Sequence, residues 1–482
     1  VKEYSYFHKL IVVFILGYCC ACSSPNPDST TSPVSSQEIP GESAAVVSES
    51  FEGKNIVLIT IDGLRPDVMG VYGHAPSATP HIDALASNSV VFDRAYATSS
   101  FIGQSLSSLM TGRLPSAGGT TGLLEAHPRD ETRTLAQEFG KAGYYTGIVT
   151  NQPRVRGKGL TKGFEDVQIG PSKNRWSGKE VVRRSLSFVD DAAEDPFMLF
   201  VHFGDIQQWL HDSAKDTVGL APDALTKEYR TIVTALDFSI EKLIKSLASD
   251  GHPEDTVIVF TASQGVELGE HGFVGDGWVL YEESVNVPLF IHAPGMTEIQ
   301  RLREAVSLVN VAPTLLSSFG LGTFGHTTEG ETLTKAVGDT LEWKPPSKPQ
   351  VAELIIPERC MVRAVWSGSR KYIATISNHP VEDRPYIHQS FPQITLAMSK
   401  GEEPIPELWE LPSKEELFNL SADPDEKEDR SGSAVEELDF MRGQLEEYRL
   451  HCVKHGLESR RYDVHDAPEL ENIEDLESLG YL

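Results

Sequence analysis

The chain has 482 residues, 40% hydrophobic and 23% charged, a globular composition that excludes wholesale disorder. Its 42 Lys and Arg against 70 Asp and Glu give a formal net charge of −28. So acidic a surface repels phosphate backbones and anionic lipid, which excludes a general nucleic-acid binder and leaves only covalent or hydrophobic routes to a membrane.

Lys2 and Lys9 flank a polar start, followed by the apolar run Leu10–Tyr18. That run is about half of the roughly 20 residues a spanning helix needs, so it reads as the core of a secretory signal. Ala21-Cys22-Ser23 resembles a bacterial lipobox, which makes residues 1–22 a lipoprotein signal peptide and Cys22 the lipid anchor. Cys19, with Leu16 three residues earlier, is a second candidate, and a plain signal peptide with incidental cysteines is the alternative. The expected location is the bacterial cell envelope, with the protein exported and held to the membrane by lipid. Ser23 after Cys22 favours the outer membrane where the host has one. Residues 23–52 are rich in Ser, Pro, Thr and Glu without apolar periodicity, and read as a tether with a reach of about 30 Å.

Lys54–Asp62 is a continuous apolar run ending in an acid and a glycine, as in a strand buried on both faces of a parallel sheet. Tyr145–Val149, Phe197–Phe203 and Thr256–Thr261 have the same character. Between them, Thr134–Ala142 and Lys227–Ala248 carry helical spacing, the latter through Ile232, Leu236, Ile240, Leu243 and Leu247. This alternation predicts an α/β domain with a largely parallel sheet, over residues 53–342. Sites in such sheets form beyond the carboxyl ends of strands, where Asp62, Asp205 and Ser263 fall. Trp343–Pro349 is a proline-rich break. Beyond it, Met361–Ile376 reads as a hairpin turning at Gly368, and Ala434–His455 as a helix, so residues 350–482 are expected to form a smaller α+β domain of antiparallel sheet and helix. Five cysteines exclude a disulfide-rich scaffold and leave one possible pair, Cys360 with Cys452.

Together these segments resemble the sulfatase family of the alkaline phosphatase superfamily. NIVLITIDGLRPDVMGVYG (55–73), TPHIDALASNSVVFDRAYA (79–97), LMTGRLPS (109–116), TVIVFTASQGVELGEHG (256–272), LYEESVNVPLFI (280–291), VAPTLL (311–316), ELFNLSADPDEKED (416–429) and the terminal LESLGYL all fit, in order and at the family's spacing. The resemblance implies an alkaline-phosphatase-like, mixed and largely parallel sheet flanked by helices. It also implies chemistry built on a nucleophile, a divalent metal, basic residues for the transition-state charge and an acid for the leaving group.

At the positions the resemblance assigns to that chemistry, this chain departs from the pattern. Counted from both sides, Ile102 takes the nucleophile position, Gln104 that of Pro and Leu106 that of Arg. Of the metal ligands, the resemblance leaves Asp62, followed by Gly63, and Ser263-Gln264, a vestigial and weak set with one formal charge. Gln207 and Asp276 stand where His is usual, and Thr150-Asn151-Gln152-Pro153 lacks the Lys-x-His found in some branches. His202 reads as a buried, hydrogen-bonded histidine and His271 as one that holds a loop.

The expected function is therefore a pseudo-sulfatase, a surface-anchored binding or partner protein. Its cleft, bordered by Asp62, Ile102, Gln104, Ser263, Gln264 and Asp276, is expected to take an unidentified ligand or protein partner, with sulfated anions disfavoured. No cofactor is expected, beyond a weakly held Ca²⁺ or Mg²⁺. The alternatives are an active sulfuric-ester or phosphoester hydrolase using Ser100 or Ser105 with a metal held partly by Asp62, and a subunit that pairs with an active paralogue.

Overall fold

A computed structural model of the chain describes residues 46–120, 131–156, 159–193, 195–213, 222–249, 255–337, 340–356, 360–377 and 412–454. Cys22, the signal and the terminal LESLGYL lie outside them.

The apolar runs pair into an eight-stranded sheet. Its order is Gln300–Ser307, Val90–Tyr96, Asn286–His292, Thr256–Gln264, Asn55–Asp62, Phe197–Phe203, Tyr145–Thr150 and Asp166–Ile169. Every neighbouring pair is parallel except the two made by Asn286–His292. The central strands Asn55–Asp62, Phe197–Phe203 and Thr256–Gln264 are buried along their whole length, as strands covered on both faces must be. Helices Gly178–Ala192 and Pro222–Ser249 pack against each other and lay Val181, Phe188, Leu236, Ile240 and Leu243 into the core. Thr134 opens helix Leu135–Lys141 with a reciprocal capping pair to Gln137. The parallel arrangement brings the carboxyl ends of three central strands to one edge, so Asp62, Gly204 and Gln264 become neighbours.

A second, four-stranded antiparallel sheet follows, in the order Gln350–Ile356, Cys360–Ser367, Arg370–Ser377 and Lys414–Asn419. Gly368, at φ 60°, makes the hairpin turn. Helix Val435–Lys454 packs Leu438 and Met441 onto this sheet. The smaller sheet is joined to the larger domain by buried polar bonds as well as apolar contact. Gln104 Nε2 donates to the Ile355 carbonyl at 2.7 Å, and the Ile355 N–H returns to Gln104 Oε1 at 3.2 Å. The Glu353 N–H donates to the Thr98 carbonyl at 2.7 Å. Lys371, fully buried, lies between Glu282 at 3.0 Å and Glu426 at 2.8 Å.

Two expectations need correction. The end of the expected tether holds a strand, because Val46–Glu49 pairs antiparallel with Thr340–Trp343. A four-residue strand among Ser and Glu is too short to outweigh its surroundings in composition. Cys452 is a buried free thiol, not half of a disulfide, and packs with Ala117 and Tyr448.

Glu329 is buried at the same junction, where its Oε2 accepts from the Leu114 N–H at 3.0 Å. Burial pushes its carboxyl from an ordinary value near 4.5 up to about 7, against the pull of Arg113. The folded chain thus holds a proton there that the unfolded chain loses first. This contribution to stability is complete below pH 4.5 and is lost as pH rises towards 7, at up to about 1.4 kcal/mol per pH unit. Urea midpoints measured across that window should fall less steeply for Glu329→Gln than for the parent; parallel curves would contradict the buried, protonated assignment.

Candidate functional site

The site is built from the strand ends upward. Asp62 closes its strand fully buried, and both of its carboxyl oxygens are engaged by side chains. Ser263 Oγ donates to Oδ1 at 2.5 Å. Gln152 Nε2 donates to Oδ2 at 2.7 Å, reaching over from the turn after strand Tyr145–Thr150. His202, on the strand between, bonds Thr60 Oγ1 through Nδ1 at 2.7 Å. Its Nε2 stands 3.2 Å from Asp62 Oδ1, without the alignment of a hydrogen bond. The expectation of a buried, hydrogen-bonded His202 therefore agrees with its place in the strand.

One step further out, Gln264 Nε2 donates to Asp276 Oδ2 at 3.1 Å, and Gln264 Oε1 is left buried and unpartnered. Burial pushes the Asp276 carboxyl above its ordinary value, while Arg154, Gln207 and Gln264 hold it down. Asp205, at the start of helix Asp205–Ser213, accepts from Asn151 Nδ2 at 2.7 Å and from the Gly178 N–H at 2.9 Å. It ties two helices and a loop together and has no free oxygen for a ligand.

Ile102 is the first residue of helix Ile102–Thr111, and both Ile102 and Leu106 are buried in the main core. Gln104, expected on the cleft wall, instead faces the smaller sheet through the bonds to Ile355, with Ser99 Oγ as a further donor at 2.9 Å. The hydroxyls of Ser100 and Ser105 are buried without a hydrogen-bond partner, so neither contacts a base that would activate it.

The donor set at Asp62 does not fit a hard divalent cation. Such an ion needs several oxygen lone pairs with negative charge among them. Here a hydroxyl and an amide N–H₂ point their hydrogens at the one carboxyl, and Gln264 turns its amide to Asp276. The structure thus joins Asp62 with Ser263 by a side-chain bond, while Gln264, paired with Asp62 along the strands, turns its side chain to Asp276. Gln152 was missed in the sequence, where it counted only as a lost basic residue. The available signal was its place, two residues beyond a strand that neighbours Phe197–Phe203.

The sheet order, the acid at the end of its first strand and the helix that starts at Ile102 define an alkaline-phosphatase-like α/β protein with a small antiparallel C-terminal domain. The Sulfatase family profile matches residues 54–321, and the chain belongs to that family. An arylsulfatase of Clostridium perfringens is 24% identical over 356 residues, covering 54% of this chain and 74% of that protein. Human N-sulphoglucosamine sulphohydrolase is 25% identical over 303 residues, covering 52% and 58%. Among solved structures, a complex with the substrate D-glucosamine-2-N,6-O-disulfate superposes with TM-score 0.63 at 17% identity, covering 85% of this chain and 100% of that one. The phosphonate monoester hydrolase of Agrobacterium radiobacter gives 0.59 at 17% identity, covering 83% and 96%.

If Asp62 is the acceptor for Ser263 and Gln152, Asp62→Asn replaces one acceptor oxygen by a third donor. The expected loss is about 1–3 kcal/mol in urea unfolding, the same with and without added Ca²⁺. A variant as stable as the parent, or a loss that appears only with the ion present, would contradict this arrangement.

Proposed function

We propose that this sulfatase-family chain no longer performs sulfatase chemistry and that its cleft serves binding. The observation that carries the reading is the pair of donors on Asp62, Ser263 Oγ and Gln152 Nε2, where the family's chemistry calls for cation ligands. Ile102 at the helix start supports it, because an aliphatic side chain offers no electron pair for attack on sulfur. Leu106 supplies no cation at the Arg position; one lost transition-state donor typically costs about 2.7–4 kcal/mol.

The cleft's remaining chemistry is neutral hydrogen bonding beside an acid. Gln264 Oε1 is a buried acceptor without a partner, and Asp276 next to it disfavours anions. A neutral, hydroxyl-bearing ligand or a protein partner suits it better than a sulfate ester. The binding head would be exported and anchored through Cys22; among the described residues, no helix is long and apolar enough to cross a membrane.

The test is turnover of aryl sulfate, phosphate monoester and phosphate diester substrates by the purified chain, with a Ca²⁺ thermal-shift series alongside. No turnover is expected, and no shift. A site of about 1 μM affinity would add about 4 kcal/mol at 1 mM ion, which the melt would register. Turnover abolished by Ser100→Ala or Ser105→Ala would replace this reading with that of a hydrolase using a relocated nucleophile. For the anchor, Cys22→Ala should prevent acylation and release the head from the membrane fraction, and unchanged retention would count against it.

A further inference from the structure

Past the C-terminal end of helix Ile102–Thr111, about 15 Å of helix from Ile102, the chain forms a cavity that the proposed function does not use. Its volume is about 110 Å³, and it lies where the larger domain meets the smaller one. Leu114, Val309 and Val351 are buried there in one apolar cluster, with Tyr448 of helix Val435–Lys454 packed against it.

Glu329 interrupts this apolar lining and is only 8% exposed. Its Oε2 accepts from the Leu114 N–H at 3.0 Å, while its Oε1 is buried with no hydrogen-bond partner. Arg113 attracts the carboxylate through space, but its Nη1 donates to Thr132 Oγ1 at 3.3 Å and it gives Glu329 Oε1 no bond. A buried carboxyl oxygen without a donor is costly, and it marks a place for a group that the chain itself does not supply.

The backbone fixes the acid beside the cavity. The Glu329 and Gly330 N–H groups both donate to the Gly112 carbonyl, at 3.1 and 3.2 Å. A Cβ on Gly330 would lie 1.9 Å from the Val309 carbonyl oxygen, so only glycine lets the chain pass there. Glu331 in turn accepts from the Ser347 and Lys348 N–H groups at 2.8 and 3.1 Å, which holds the Lys348–Pro349 wall in place. The lining carries three acids, Glu329, Glu331 and Glu447, against one lysine, Lys348, with His451 beside them.

We propose that this junction cavity binds a small primary alkylammonium ion, its N–H donating to Glu329 Oε1 and its alkyl body packed on Leu114, Val309 and Val351. A cation suits the acidic lining, and an ammonium brings the donor that Oε1 lacks together with the charge that a carboxylate favours. An anion would meet three carboxylates, and an alcohol would bring a donor without charge. The volume sets the size of the body: an apolar cavity of about 150 Å³ takes benzene, so this one takes a branched chain of about four carbons. The site shares no residue with the bonds around Asp62.

The test is calorimetric titration of the full chain with isobutylamine at about pH 8, where Glu329 is ionised. Isobutanol, of the same shape without the charge, is titrated alongside. The amine is expected to saturate one site per chain at a Kd of about 1 mM or tighter, and the alcohol to bind at least about tenfold more weakly, the usual worth of a hydrogen bond to a charged group. Glu329→Gln should bring the amine level with the alcohol. If circular dichroism shows that this variant does not fold, Val309→Leu, which fills part of the cavity, is read in its place and should weaken both ligands. Equal affinity for amine and alcohol, no saturation by the amine below about 10 mM, or unchanged amine binding in the variant read would each overturn the proposal. Loss of amine binding in Asp276→Asn would also overturn it, by placing the ion in the cleft. Turnover is not a readout, so failure here leaves the binding-protein reading standing, and the reverse.

Discussion

One buried carboxyl with two hydrogen-bond donors aimed at it organises the centre of this molecule. In an interior of low polarity an acid must be met by a cation, by donors or by a proton. Asp62 is met by donors. Ser263 and Gln152 come from strand ends on opposite sides of it, and His202 stands between, so three strands converge on one residue. A cation attracts lone pairs, whereas a carboxylate attracts hydrogens; the same three-dimensional position cannot be optimised for both. The side chains around Asp62 have taken the second option.

The larger architecture was legible because its signal is redundant. Long apolar runs such as Asn55–Asp62 and Phe197–Phe203 have one comfortable place, the middle of a sheet covered on both faces, and the amphipathic helix Pro222–Ser249 has one face to bury. Single substitutions at the site were legible by position but not by orientation. Ile102 opens its helix and Leu106 follows about one turn later, both buried in the main core. Gln104 was placed on the cleft wall, yet it turns to Ile355, because a flexible amide goes to whichever buried backbone group lacks a partner. Gln152 escaped notice for a related reason. Its bond to Asp62 spans 90 positions of sequence, and only the strand order makes the two adjacent. The four residues Val46–Glu49 carried too little pattern to be seen as a strand at all.

The bonds between Gln104 and Ile355 have a consequence for how this chain can change. Gln104, two residues into the helix, is part of a seam holding the two domains together. Any side chain there without an amide would unfasten that seam and strand the N–H and carbonyl of Ile355 in a dry interface.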